Sequence, residues 1–135
     1  MPFWKLYYHL VWGTKNRLPL LIPQIEPQLY QFLIDRALEM DVVIYKVNGY
    51  LDHVHLVTAI PPKHAVATVV KTLKGSSSHY INDRGLTADH FSWQRGYGAL
   101  SLGEKQLPIA EAYVANQKQH HEEESSNSWL EPVSY

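Results

Sequence analysis

The sequence predicts an α+β domain of ferredoxin-like, RRM-like type: an antiparallel sheet in β-α-β-β-α-β order with an additional C-terminal helix. Three observations predict it. Short β-branched or aromatic runs alternate with two stretches of helical spacing, and an Asn48-Gly49 pair between two such runs marks a hairpin. The 135 residues, 45% hydrophobic, are enough for one core and show no composition break that would divide it. That element order is the split β-α-β arrangement, in which the third run becomes an internal strand.

Phe3 to Gly13 is dense in Trp, Tyr, Leu and Val and reads as a central strand, ended by Gly13-Thr14-Lys15-Asn16-Arg17. From Gln24 to Met40, Ile25, Leu29, Phe32, Leu33 and Ala37 follow a helical stripe, with Pro23 and Pro27 accommodated at its start. Val42–Val47 and His53–Ile60 form the predicted hairpin, although Tyr50-Leu51 can extend either strand. Ala65 to Ile81 carries Val66, Val69, Val70, Leu73 and Tyr80 at helical spacing and closes at Asp83-Arg84-Gly85. Phe91 to Leu102, interrupted by Gly96-Tyr97-Gly98, reads as a bent strand. A last helix runs from Pro108 to about Glu123. One domain thus occupies residues 1–124, and Ser125-Ser126-Asn127-Ser128 opens a flexible tail, 125–135.

Composition narrows the function classes. The absence of cysteine excludes disulfides, thiolate zinc sites and a cysteine nucleophile. No apolar run approaches the ~20 residues that span a bilayer and no secretory leader is visible, so a soluble cytoplasmic protein without a membrane partner is expected. A net charge of −1 argues against broad capture of duplex DNA. The cations Lys5, Lys15, Arg17, Lys63, Lys71, Lys74 and Arg84 nevertheless all precede the acidic cluster Glu122-Glu123-Glu124, leaving room for a local basic surface.

The most informative motif is His53-Val54-His55. In a strand the two imidazoles project from one side, about 7 Å apart at Cα, close enough to share an ion. The plainer reading is the polar face of a half-buried strand. In the last helix Tyr113 and Gln117 stand four apart and share a face, flanked by Asn116 and His120. Tyr113 alone reads as a core aromatic with its hydroxyl at the rim. In combination with Gln117, the histidines would make a neutral three-ligand site that leaves a divalent ion's charge available to phosphate oxygens.

Several segments together resemble the IS200-like single-tyrosine transposases of the His-hydrophobe-His endonuclease superfamily. They are His9-Leu10-Val11-Trp12 with Thr14-Lys15-Asn16-Arg17, Asp52-His53-Val54-His55-Leu56, Leu73-Lys74-Gly75-Ser76-Ser77, Trp93-Gln94 with Gly96-Tyr97-Gly98-Ala99, and Tyr113-Val114-Ala115-Asn116-Gln117 with His120-His121. The resemblance implies that Tyr113 is a nucleophile and that His53, His55 and Gln117 are metal ligands, with Mg2+ or Mn2+ as the ion. Chemistry alone also admits zinc. It further implies single-stranded DNA with hairpin ends as substrate, a 5′-phosphotyrosine intermediate that conserves bond energy without ATP, and a homodimer with joined sheets. In such a dimer the histidine pair of one subunit meets the tyrosine helix of the other, and the Gly98–Pro108 connection suits a helix that docks in either subunit.

Lys71, Lys74 and Ser76 to Ser78, with Arg17, are candidate DNA backbone contacts. Tyr7, Tyr8, Trp12 and Trp93 either stack on bases or pack the core. His120 and His121 either supply an alternative ligand or complement the helix end. Two other readings stay open: a non-catalytic single-stranded nucleic-acid-binding module, and a metal hydrolase in which water attacks. The second lacks a carboxylate base, because Asp52 is expected on the opposite side of the strand from the histidines.

Overall fold

A computed structural model describes residues 3–122. Its strands are β1 (Tyr7–Gly13), β2 (Val43–Tyr50), β3 (His53–Ala59) and β4 (Gly98–Leu102); its helices are α1 (Glu26–Leu38), α2 (Val66–Asp83), α3 (Leu107–Ala115) and α4 (Gln117–Glu122). The sheet order is β2-β3-β1-β4, antiparallel throughout, as a split β-α-β fold requires. The expected tail at 125–135 and the side chains of His120 and His121 lie outside what is described.

Strand alternation divides the sheet into two unlike faces. Leu10 pairs with Leu56 and Trp12 with Val54, and these fully buried side chains pack against Leu29, Leu33 and Ala37 of α1 and Val69, Val70 and Leu73 of α2. The opposite face carries the pairs His9 with Val57, Val11 with His55 and Gly13 with His53. There α3 lays Ala110, Tyr113 and Val114 over Val57 and Leu102. The histidine face is therefore covered by the tyrosine helix and the start of α4, while α1 and α2 close the main core behind it. No helix among the described residues is long and apolar enough to cross a membrane.

Four boundaries differ from the sequence reading. β1 begins at Tyr7: the more N-terminal Phe3 and Trp4 lie outside the strand and stay exposed. The hairpin turns at Leu51-Asp52, not Asn48-Gly49, which pair within β2 to His55 and Val54. Long-range bonds fix that corner, since Leu21 N–H donates to Leu51 O (2.7 Å) and Thr14 N–H to Asp52 O (2.8 Å). Residues Phe91 to Tyr97 are irregular apart from a bridge between Trp93 and Thr14. Asn82 satisfies both the N–H and the carbonyl of Phe91 and pins the segment without a ladder. Finally, the last helix breaks at Asn116 (φ −103°, ψ 23°), so Tyr113 and Gln117 belong to two helices.

Candidate active site

His53 and His55 are 1% and 0% exposed, their ring centroids 5.0 Å apart. Each has its Nδ1 engaged by a neighbour. His53 Nδ1–H donates to Asp52 Oδ1 at 2.7 Å, and His55 Nδ1 lies 2.7 Å from His9 Nε2. Metal-binding imidazoles typically carry such a partner on the nitrogen that does not face the ion. With the proton assigned to Nδ1 in both rings, both Nε2 atoms are lone-pair donors.

The break at Asn116 brings α4 round so that Gln117, fully buried, sets its Oε1 3.2 Å from His53 Nε2. With Nδ1–H donating to the Asp52 carboxylate and the amide set with Oε1 toward the ring, two lone pairs face each other, an arrangement that a cation between them would stabilise. The donor chemistry thus fits a divalent ion held by His53, His55 and Gln117. Among the described residues no group of three or more His, Asp or Glu side chains stands close enough to hold a metal ion, and the side chain that meets the histidine pair is the Gln117 amide. Tyr113 is 4% exposed and packs edge-on to His55 and His9, at centroid distances of 6.1 and 6.4 Å. The single chain thus packs its tyrosine helix on its own histidine face.

Two residues were not foreseen. Asp52, expected to face away, curls back at the turn and bonds the first histidine. Burial pushes its carboxyl up, but the hydrogen bonds from His53 and Arg17 and their charges outweigh this and hold it below the ordinary carboxylate range. His9 stands in the first strand and in the first segment of the family resemblance, but the sequence reading gives it no place in the site. The available signal was a lone histidine inside an otherwise hydrophobic run, a buried polar group that needs a partner.

The candidate DNA contacts separate. Arg17 pairs with Asp52 (Nε to Oδ2, 3.2 Å) at the rim of the histidine site. Lys71 and Lys74 instead line a groove of about 540 Å³ between α2 and residues 92–97, together with Ser78, Arg95 and Tyr97. Burial lowers the pKa of Lys74, whose ammonium donates to the carbonyls of Gln94 (2.6 Å) and Gly96 (2.8 Å). Ser76 is not part of the groove, since its hydroxyl is bonded to Thr72 O on its own helix and Ser78 takes the lining position. Trp12 and Trp93 pack edge-on in the core. The groove and the histidine site occupy opposite layers at one end of the sheet. They are linked by residues 92–94, whose backbone bonds Lys15 and Gly13.

Comparison with known proteins places the chain. The family model for IS200-like transposases matches residues 2–117. The ISDra2 transposase TnpA of Deinococcus radiodurans is 27% identical over 119 residues, covering 84% of this chain and 85% of the relative. The transposase for insertion sequence element IS200 of Salmonella typhimurium is 25% identical over 84% of this chain and 78% of its own. A crystal structure from Deinococcus radiodurans R1, described as a transposase, superposes with TM-score 0.70 at 27% identity, covering 86% of this chain and 93% of that one. A REP-associated tyrosine transposase bound to a REP hairpin shares the fold at 13% identity, with TM-score 0.67 over 90% of this chain and 74% of its own. The fold is that of the single-tyrosine transposases. The chain belongs to the IS200-like transposase family.

Proposed function

We propose that this transposase cleaves and rejoins single-stranded DNA at hairpin-bearing ends through a 5′-phosphotyrosine on Tyr113, with Mg2+ or Mn2+ held by His53, His55 and Gln117. The observation that carries the reading is the convergence of Gln117 Oε1 on His53 Nε2, with Asp52 and His9 bonded to the Nδ1 atoms of the two histidines. When bound, the ion would act as a Lewis acid on a phosphate oxygen, and a neutral ligand set leaves its charge undiminished.

Tyr113 supplies the attacking oxygen. The phenolic O–P bond forms as the P–O3′ bond breaks, the phenol loses its proton, and the departing 3′ oxygen gains one. Free tyrosine has a pKa of about 10, so a phosphate with charge withdrawn from it reduces the demand on the nucleophile. In the reverse direction a 3′-OH attacks the phosphotyrosine and a new strand is joined. Asp52 and His9 hold the histidines in one tautomer and orientation throughout.

The basic groove suits the sugar-phosphate backbone of a hairpin, whose single-stranded flank would pass residues 92–94 and Arg17 to reach the histidine face. A homodimer with joined sheets is compatible with the exposed edge at β4, whose residues Gly98–Leu102 carry no charge. The connection that would let α3 exchange between subunits is shorter than expected. It is the four residues Gly103 to Gln106, closed by Gly103 N–H donating to Gln106 Oε1 at 2.8 Å.

The test is incubation with 5′- and 3′-labelled single strands from the flanks of the gene, in Mg2+ or Mn2+, beside Tyr113→Phe. A covalent protein–DNA adduct that carries the label 3′ to the cut and disappears in the variant is expected. Cleavage without an adduct would assign attack to water. Binding with neither product in either metal would make the chain a non-catalytic single-stranded DNA-binding module.

A further inference from the structure

α4 reads Gln117-Lys118-Gln119-His120-His121-Glu122 and contains no apolar side chain. α3 is held to the sheet by burial of Ala110, Tyr113 and Val114, but the break at Asn116 ends that rigid connection before Gln117. Polar contacts must therefore determine where α4 points. Lys118, the next residue after the candidate metal donor, reaches across the outer edge of β2. Its Nζ donates to Glu26 Oε2 at 2.7 Å, to Asn48 Oδ1 at 2.9 Å and to Gly49 O at 3.4 Å.

The receiving side is built for this contact. Glu26 is the only buried acidic residue among those described, at 6% exposure, and a carboxylate is rarely buried without partners. Its second partner is the Tyr30 hydroxyl, whose pKa is pushed far up by burial and by the hydrogen bond to that carboxylate, so it remains a neutral donor. Asn48, besides accepting from Lys118, donates from Nδ2 to Ala115 O at 3.1 Å, a carbonyl freed where α3 ends. Glu26 and Asn48 thus hold the chain on both sides of Gln117.

We propose that Lys118, through Glu26 and Asn48, is a positioning residue for the metal site: the ion pair across the β2 edge fixes α4 so that the Gln117 amide oxygen meets His53 Nε2. This rests on the reading of Gln117 as the third donor. Direct Mn2+ binding by the purified chain, followed by electron paramagnetic resonance of the free ion, tests it without reference to cleavage. Lys118→Met is expected to weaken Mn2+ about 10-fold, the low end of what loss of a supporting contact around a metal site costs, with a lower but still cooperative melt because Glu26 loses its cation. Glu26→Gln should act in the same direction, and Lys118→Arg, which keeps the charge, should bind within about threefold of the parent. Lys63→Met, which removes the exposed pair with Asp41, is the control and should bind as the parent does.

Parental affinity in Lys118→Met beside weakened binding in Gln117→Ala would overturn the positioning role and leave the donor intact. Parental affinity in Gln117→Ala would remove the donor reading itself, and this inference with it. A loss in Lys118→Met that Lys63→Met matches, or that accompanies loss of a cooperative melt, would make the pair structural only and also overturn the proposal.

Discussion

Gly49→Ala is a one-carbon perturbation aimed at the backbone that carries His53. A Cβ at Gly49 would overlap the His53 carbonyl oxygen and lie 3.2 Å from both Tyr30 Oη and Val54 Cα. Tyr30 can swing aside, but the carbonyl and Val54 Cα belong to the neighbouring strand at a fixed ladder spacing of about 4.8 Å. β2 must therefore move off β3 at its last pairs, Gly49 with Val54 and Tyr50 with His53. Overpacking of this kind costs about 1–3 kcal/mol, and each ladder bond lost costs about 1 kcal/mol more, so a destabilisation of about 2–5 kcal/mol follows. Unfolding entropy near 2.1 cal/mol/K per residue gives about 0.3 kcal/mol per kelvin for this length, and hence a fall in Tm of about 7–17 °C. The companion is Gly75→Ala within α2, where a Cβ would meet nothing within 4 Å; relief of helical glycine should raise Tm by about 3 °C. Calorimetry on both variants is the assay. A Gly49→Ala protein melting within 2 °C of the parent, or an equal loss in Gly75→Ala, would refute the steric argument, on the scale set by helix propensity and core packing.

His9→Phe keeps an aromatic ring in place but removes the hydrogen bond to His55 Nδ1, and should weaken Mn2+ about 10- to 100-fold, read by titration against the parent. Asp52→Asn should alter the acid limb of stability. The carboxyl is held below its ordinary value, so its contribution is complete above about pH 4 and disappears as pH falls through the lower folded value. The Tm difference between parent and variant should therefore be constant from neutrality to about pH 5 and shrink below pH 4. Lys71→Met should weaken hairpin binding and reduce the salt slope by about one counterion, measured by anisotropy at several salt concentrations, without changing Mn2+ affinity.

Periodicity made most of the fold legible. Alternation in His53 to Ile60 placed both histidines on one face, and the helical stripes of α1 and α2 placed the core on the other. What was hidden depends on distant pairing. His9 joins the site only because β1 lies beside β3 in the register that sets Val11 opposite His55. Asp52 was assigned by strand alternation to the far side, but it occupies the turn, where alternation no longer holds. Asn48-Gly49 carried a hairpin signal, yet the glycine serves close approach to the His53 carbonyl within a ladder. The break before Gln117 has no Gly or Pro to mark it; an asparagine that bonds its own helix, Nδ2 to Ala112 O at 3.0 Å, ends α3 instead. Helical phase could have chosen Ser78 over Ser76, since Lys71, Lys74 and Ser78 follow i, i+3, i+7 spacing while Ser76 falls off that stripe.

The most direct test of the account is to map the bond between protein and DNA. After reaction with flank DNA in Mn2+ and nuclease trimming, mass spectrometry of the tryptic peptides should find a nucleotide attached through its 5′ phosphate to Tyr113, absent when EDTA is added or His53 is replaced by Ala. A nucleotide on another residue, or an adduct that forms equally well in EDTA, would contradict it.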